Sequence, residues 1–185
     1  MENPIDWLNN NKDLFSIELN GYSGIPVGAY VSTLSLIFNS GKILDLGSGN
    51  GALLLFLTKF SKKKLEPYGV DIKDTVIEEA KKLLPEYENN FIAGNVNEIR
   101  LDEKFNIIIT NPFYGKPNIS NYVNKCLDML TNDGYLLFRV HRDVLKHNDI
   151  GSMIENADLA KFDIRISTGV GLELGILEKS SQHRL

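Results

Sequence analysis

KILDLGSGNGALLLFL, residues 42–57, runs from an apolar segment through three alternating glycines into a second apolar segment. Lys42–Gly47 reads as a strand, because a continuous apolar run covered on both faces is the mark of a parallel sheet. Gly51–Phe60 reads as the helix that follows. Glycines between a strand and a helix let backbone approach a ligand closely, and a helix N-terminus favours electron-rich groups. Gly47, Gly49 and Ala52 also fit a dinucleotide GxGxxA spacing. By itself the turn therefore leaves open a dinucleotide, another nucleoside cofactor, and a tight turn with no ligand.

Outward from this stretch the chain repeats the same unit. EPYGVDI (66–72) is a second strand, followed by DTVIEEAKKLLPE, in which Val76, Ile77, Ala80, Leu83 and Leu84 share one helical face. Asp74 is the expected N-cap and Pro85 marks the helix end. NFIAGN (90–95) and FNIIITN (105–111) are two more strands with a short polar connection between them. A helix over about 119–130 leads into the turn TNDG, and YLLFRV (135–140) is a fifth strand. Alternating strands and helices predict an α/β, doubly wound sheet. KFDIRIS (161–167) and LELGILEKS (172–180) are too close for a helical crossover and should pair as an antiparallel hairpin. GAYVSTLSLIFN (28–39) reads as a helix, with another around Trp7.

A chain of 185 residues with 43% hydrophobic content supports one packed core. We expect a single domain over 1–185, with residues 1–40 as a helical extension over the cofactor or substrate site. A net charge of −4 and a pI near 5.4 argue against nonspecific nucleic-acid binding through overall basicity, while leaving room for local basic patches. Cys126 is the only cysteine and the N-terminal residues lack a signal-peptide layout. The apolar runs fall far short of the ~20 residues that cross a bilayer. The expectation is a soluble, cytoplasmic protein without membrane contact. Three histidines and one cysteine show no metal-ligand spacing, so no metal is expected.

Two carboxylates and one tetrapeptide narrow the chemistry. Asp45 stands just before the glycines, and Asp71 closes the second strand, where a carboxylate can accept protons from both ribose hydroxyls. NPFYG, Asn111 to Gly115, lies at the carboxyl end of the fourth strand, where a dinucleotide fold has no particular use for it. With these residues together the chain resembles a class I S-adenosylmethionine-dependent methyltransferase of the branch that carries an asparagine-proline-proline-tyrosine motif.

That resemblance covers about residues 25–180. It implies a Rossmann-like seven-stranded sheet of order 3-2-1-4-5-7-6 with the last strand antiparallel, which suits the terminal hairpin. It also implies S-adenosyl-L-methionine as cofactor, held by Asp45, Leu46, Gly47, Ser48, Gly49, Gly51, Asp71, Ile72, Asn95 and Val96, with Asn111 beside it. Asn95 stands where the family usually has an aspartate near the adenine ring, and a loop asparagine with no ligand is an equal reading. GIPVGAYVSTLSLIF resembles the segment that precedes the cofactor loop in several such enzymes, although Val27 and Val31 replace polar or acidic residues there.

The chemistry of NPFY agrees with the resemblance. An amino group on an aromatic ring or carbonyl has a delocalised lone pair and attacks a sulfonium methyl poorly. The Asn111 amide oxygen and the Pro112 carbonyl oxygen can each accept one of its N–H groups and turn the lone pair toward the methyl. Tyr114 offers a flat face for a planar substrate, as enzymes that extract a base from its stack require. Phe113 departs from the family pattern by replacing the second proline, which frees one φ angle and restores one N–H.

The acceptor is less legible. Arg139, His141 and Arg142, in RVHRDVLKH (139–147), fall on the expected rim of the substrate cleft and would suit phosphates, unless they belong to a solvated loop. The SKKK run (61–64) reads as a solvated helix end. Adenine N6 in RNA is the favoured acceptor, because no segment reads as a DNA target-recognition domain or as the N-terminal helical domain usual in glutamine methyltransferases. A protein glutamine N5 amide is the alternative, a small-molecule amine is a third class, and a small activating subunit fits so compact a chain. A catalytically silent cofactor-binding scaffold and a dinucleotide oxidoreductase are the readings from other classes.

Overall fold

The computed structural model describes residues 2–15, 27–110, 119–141, 159–166 and 172–179. Five α-helices and seven strands lie in these residues. They are α1 (Pro4–Asn10), α2 (Val27–Ser35), β1 (Gly41–Leu46), α3 (Ala52–Phe60), β2 (Leu65–Asp71), α4 (Asp74–Leu83), β3 (Phe91–Ala93), β4 (Phe105–Thr110), α5 (Ile119–Asp128), β5 (Leu130–His141), β6 (Leu159–Ile166) and β7 (Leu172–Lys179). The strands form one sheet in the order β3-β2-β1-β4-β5-β7-β6. β1 to β5 run parallel, whereas β7 pairs antiparallel with both β5 and β6. The parallel part is a Rossmann-like, doubly wound arrangement.

Alternation along the strands sends side chains to two different cores. Ile43, Ile107 and Ile109 pack with Trp7, the α3 residues Leu53, Leu54, Phe56 and Leu57, and Ile77 and Ala80 of α4. Leu44, Leu46, Ile108 and Phe138 point the other way, onto Tyr122, Val123, Cys126 and Leu127 of α5. Both faces of β1 and β4 are thereby covered, which is why their sequences are apolar without alternation.

The N-terminal residues join the first of these layers. Trp7 of α1 lies edge-on to Phe15 and Phe60, with centroids 5.8 and 5.6 Å away, and tilted over Phe56 at 6.1 Å. The helix starts where expected from its own sequence: the Asn3 side chain caps the Ile5 N–H at 2.8 Å, and Pro4 fills a first-turn position that needs no N–H.

Several boundaries differ from the sequence expectations. Asp74 is not the N-cap of α4; Lys73 holds that position and Asp74 is the first helical residue, where its charge complements the helix dipole. Pro85 closes α4 by opening a 3₁₀ helix over Pro85–Asn90. β3 is shorter than the expected 90–95, and α2 ends before residue 39. Thr131–Gly134 does not separate helix from strand but lies within β5. Phe105 pairs with Leu130 and Ile107 with Tyr135, so the extra residues form a bulge opposite Asn106. Gly134 is needed there, since a Cβ would lie 2.8 Å from the Phe105 carbonyl oxygen.

Candidate functional site

The sheet order reverses between β1 and β4, and ligands in open α/β sheets bind outside the carboxyl ends of strands at such a point. Leu46 pairs with both Val70 and Thr110, so the glycine turn after β1, Asp71 at the end of β2 and Thr110 at the end of β4 lie side by side. This register places three stretches that are far apart in sequence at one edge of the sheet.

The turn is held by its own surroundings. Gly47, Gly49 and Gly51 have φ of +90°, +53° and +76°, values that only glycine adopts without strain, which accounts for the alternation in the sequence. The Gly47 and Ser48 N–H groups both reach the Val70 carbonyl, at 2.7 and 3.0 Å, and the Gly51 N–H reaches the Ser48 carbonyl at 3.0 Å. The Gly49 N–H donates to Asp71 Oδ2 at 3.0 Å, and the Ala52 N–H to Asn50 Oδ1 at 3.2 Å. These five donors are therefore already committed. A pyrophosphate needs such N–H groups free; at Gly47, Gly49 and Gly51 the turn instead offers backbone surface that carries no side chain.

Asp71 keeps capacity for more. Its Oδ1 accepts the Lys73 N–H at 3.1 Å, so each oxygen carries one backbone donor. A carboxylate has about four lone-pair sites, which leaves two for ribose hydroxyls. Ile72, next in the chain, is 71% exposed, an unusual state for isoleucine and a ready apolar surface beside the carboxylate. Asp45 and Ser48 are buried polar residues flanking the turn.

The remaining expected residues divide sharply. Asn95 turns its side chain onto its own loop: Oδ1 accepts the Asn97 N–H at 3.0 Å, and Nδ2 donates to Glu98 Oε1 at 2.9 Å. Val96 is buried against the α5 layer, and its carbonyl accepts from Lys125 Nζ at 3.3 Å. Burial holds the Lys125 ammonium below the usual lysine range. Asn111, Pro112, Phe113, Tyr114 and Arg142 lie outside the described residues. The backbone of Arg139 pairs with Leu174 and that of His141 with Leu172, at the end of β5.

Sequence reading missed two contacts here. Asn50 Nδ2 donates to the Leu14 carbonyl at 2.8 Å, fastening residues after α1 to the glycine turn. The Tyr122 hydroxyl shares a buried hydrogen bond of 2.6 Å with Thr110 Oγ1. The only local signal for the second was a hydroxyl-bearing aromatic on the otherwise apolar face of α5. No group of three or more His, Cys, Asp or Glu that could hold a metal occurs among the described residues. None of the described helices is long and apolar enough to cross a membrane.

Comparison with known proteins agrees with this geometry. A family described as a methyltransferase domain matches residues 37–163. The malonyl-[acyl-carrier protein] O-methyltransferase of Priestia megaterium is 32% identical over 98 residues, which are 52% of this chain and 35% of that protein. The release factor glutamine methyltransferase of Flavobacterium psychrophilum is 33% identical over 76 residues, 40% of this chain and 26% of that protein. The chain thus spans about a third or less of the curated relatives it matches. Among solved structures, a chain from the complex between the Haloferax volcanii Trm112 methyltransferase activator and a candidate methyltransferase has a TM-score of 0.68 at 13% identity, covering 97% of this chain and 99% of that one. Family match, sheet order and glycine turn together place this chain in the class I methyltransferase domain family, whose cofactor is S-adenosyl-L-methionine.

Proposed function

We propose that the chain transfers the methyl group of S-adenosylmethionine to a planar, delocalised amino group, with adenine N6 in RNA as the acceptor. The observation that carries this reading is the register of Thr110 beside Leu46, because NPFY begins at the next residue and so follows directly from the strand end beside the glycine turn. In this reading Asp71 accepts the ribose hydroxyls, and the Gly47–Gly51 turn lies against the nucleoside. The Asn111 amide oxygen and the Pro112 carbonyl accept the two N–H groups of the acceptor, and Tyr114 stacks on its ring, with Phe113 alongside. The nitrogen lone pair attacks the methyl carbon as the C–S bond breaks toward sulfur. The methylated nitrogen, made acidic by its new bond, would lose its proton to solvent, so no strong base is required.

RNA is favoured by the basic segment that begins at Arg139. There Arg139, His141 and Arg142 would meet phosphates on a chain that is acidic overall. The whole domain, residues 1–185, would act as one unit with residues 1–40 bordering the cofactor. A small activating subunit belongs to the same reading, since the Haloferax structure pairs a protein of this fold with an activator.

A glutamine amide is the second reading, favoured by the release factor relative. Two of the curated relatives carry names with unlike acceptors, an oxygen and a glutamine, so their likeness speaks to the cofactor more than to the substrate.

Transfer of labelled methyl to total RNA, DNA and protein fractions tests the proposal. Label in RNA, lost in Asn111→Ala while S-adenosylhomocysteine affinity stays within a few fold, is the expected result. Label in protein alone, with binding indifferent to salt, replaces RNA with the glutamine reading.

A further inference from the structure

The loop that leaves β3 borders the carboxyl edge of the sheet on the side of Asp71 away from the glycine turn. Ala93 pairs with Asp71, the Gly94 N–H donates to the Asp71 carbonyl at 2.8 Å, and Val96 turns back onto the layer that holds Leu46 and Val70. A nucleoside whose ribose hydroxyls meet the Asp71 carboxylate carries its base on the carbon next to them, within reach of this loop and of the exposed Ile72.

Gly94 has no side chain, so Asn95 carries the first one of the loop, and its acceptor is already spent. Oδ1 takes two donors, the Asn97 N–H at 3.0 Å and Asn97 Nδ2 at 3.1 Å. An amide oxygen has two lone pairs, so both are used. Nδ2 gives one hydrogen to Glu98 Oε1 at 2.9 Å, and the Asn95 carbonyl accepts the Glu98 and Ile99 N–H groups at 2.9 Å each. From α5, Lys125 Nζ donates to the Val96 carbonyl at 3.3 Å. Turning Oδ1 toward an exocyclic amine would exchange two accepted bonds for one and uncap the turn. The hydrogen left on Nδ2 is a donor, which an amine presenting its own hydrogens does not match.

Resting on the placement of the ribose at Asp71, we propose that this chain holds the base of S-adenosylmethionine by its apolar faces, with Ile72 against one of them, and leaves the exocyclic amine unread, because Asn95 faces the base edge with its acceptor committed to Asn97. Base specificity then comes from shape and apolar contact, and Asn95 serves to hold the loop that supplies them.

Calorimetry on the full chain compares S-adenosylhomocysteine with its 6-deamino analogue, in which purine replaces adenine and the ring nitrogens are kept. Wild type should bind the two within about threefold of each other, because no hydrogen bond to the amine is lost. Asn95→Ala frees the turn: the melting temperature should fall, and both ligands should weaken by the same factor, leaving their ratio unchanged. Asn95→Asp removes the donor to Glu98 and presents a second, charged oxygen, so S-adenosylhomocysteine should gain about tenfold or more over the analogue.

A wild-type preference of about tenfold or more for S-adenosylhomocysteine would show that the amine is read, since a site built to bond a group rejects the analogue lacking it, and would overturn the proposal. An unchanged ratio in Asn95→Asp would mean that residue 95 does not face the base, and would overturn it equally. Either result leaves the ribose placement standing where Asp71→Ala weakens S-adenosylhomocysteine. If that variant binds like wild type, the placement falls and this inference falls with it.

Discussion

The Asp71 carboxylate accepts the Gly49 backbone N–H at 3.0 Å, so the acid that ends β2 braces the turn that follows β1. One residue thereby both closes β2 and shapes the glycine turn. The bond spans 22 residues of sequence and fixes the middle of a turn whose first N–H groups, of Gly47 and Ser48, are anchored on Val70.

Asp71→Ala should therefore weaken S-adenosylhomocysteine more than loss of the ribose contacts alone. Hydrogen bonds to a charged acceptor contribute ~1.5–3 kcal/mol each, so affinity should fall by at least about a hundredfold. Asp71→Asn, which can still accept the Gly49 N–H, should lose less. Calorimetry with S-adenosylhomocysteine checks both; equal affinities for wild type and Asp71→Ala would remove Asp71 from the site.

Gly69→Ala should disturb stability and cofactor binding together. A Cβ there would lie 2.6 Å from Phe91 Cδ1 and 2.7 Å from Ser48 Oγ. The phenyl ring is buried and cannot swing away, so overpacking should cost about 1–3 kcal/mol, and Ser48 would be displaced within the turn. A thermal melt and a binding titration read the two effects, and Phe91→Leu should restore part of the stability.

Asn50→Ala should loosen residues 2–15 from the glycine turn. Two neutral bonds are lost, from Nδ2 to the Leu14 carbonyl and from the Ala52 N–H to Oδ1, so stability should drop by about 1–3 kcal/mol. Hydrogen exchange at the α1 amides should quicken, since Asn50 is the described side chain that ties this segment directly to the turn. Unchanged exchange would mean that the Trp7 ring cluster holds the segment by itself.

Tyr135 should make stability fall at high pH. Its hydroxyl donates to the Leu36 carbonyl at 2.7 Å and accepts the Phe38 N–H at 3.0 Å, and burial pushes it up to about 12. The fold favours the protonated phenol, so this stabilisation is complete below the unfolded value near 10 and is lost as pH rises toward about 12. Two units correspond to about 3 kcal/mol. Tyr135→Phe should be less stable than wild type at pH 7, and the gap in urea midpoint should narrow between about pH 10 and 12. A constant gap over that range would show that the phenol does not titrate with unfolding.

What the sequence by itself determined is what short-range physics writes into neighbouring residues. Runs such as KILDLG and FNIIIT declare strands, the helical face of DTVIEEAKKLL declares α4, and alternating glycines declare a turn between strand and helix. Asp71 was legible as a strand-end carboxylate because a strand end is a fixed place in this fold. The tertiary structure decided which groups meet across distance. It spent the turn's N–H groups on Val70, Asp71 and Asn50, set the Asn95 side chain on its own loop, turned Thr131–Gly134 into a bulge opposite Asn106, and joined Thr110 to Tyr122. These outcomes depend on strand register and helix placement, which are set by the packing of two cores at once, and no local periodicity encodes which hydroxyl or carboxylate that packing brings within 3 Å of a given donor.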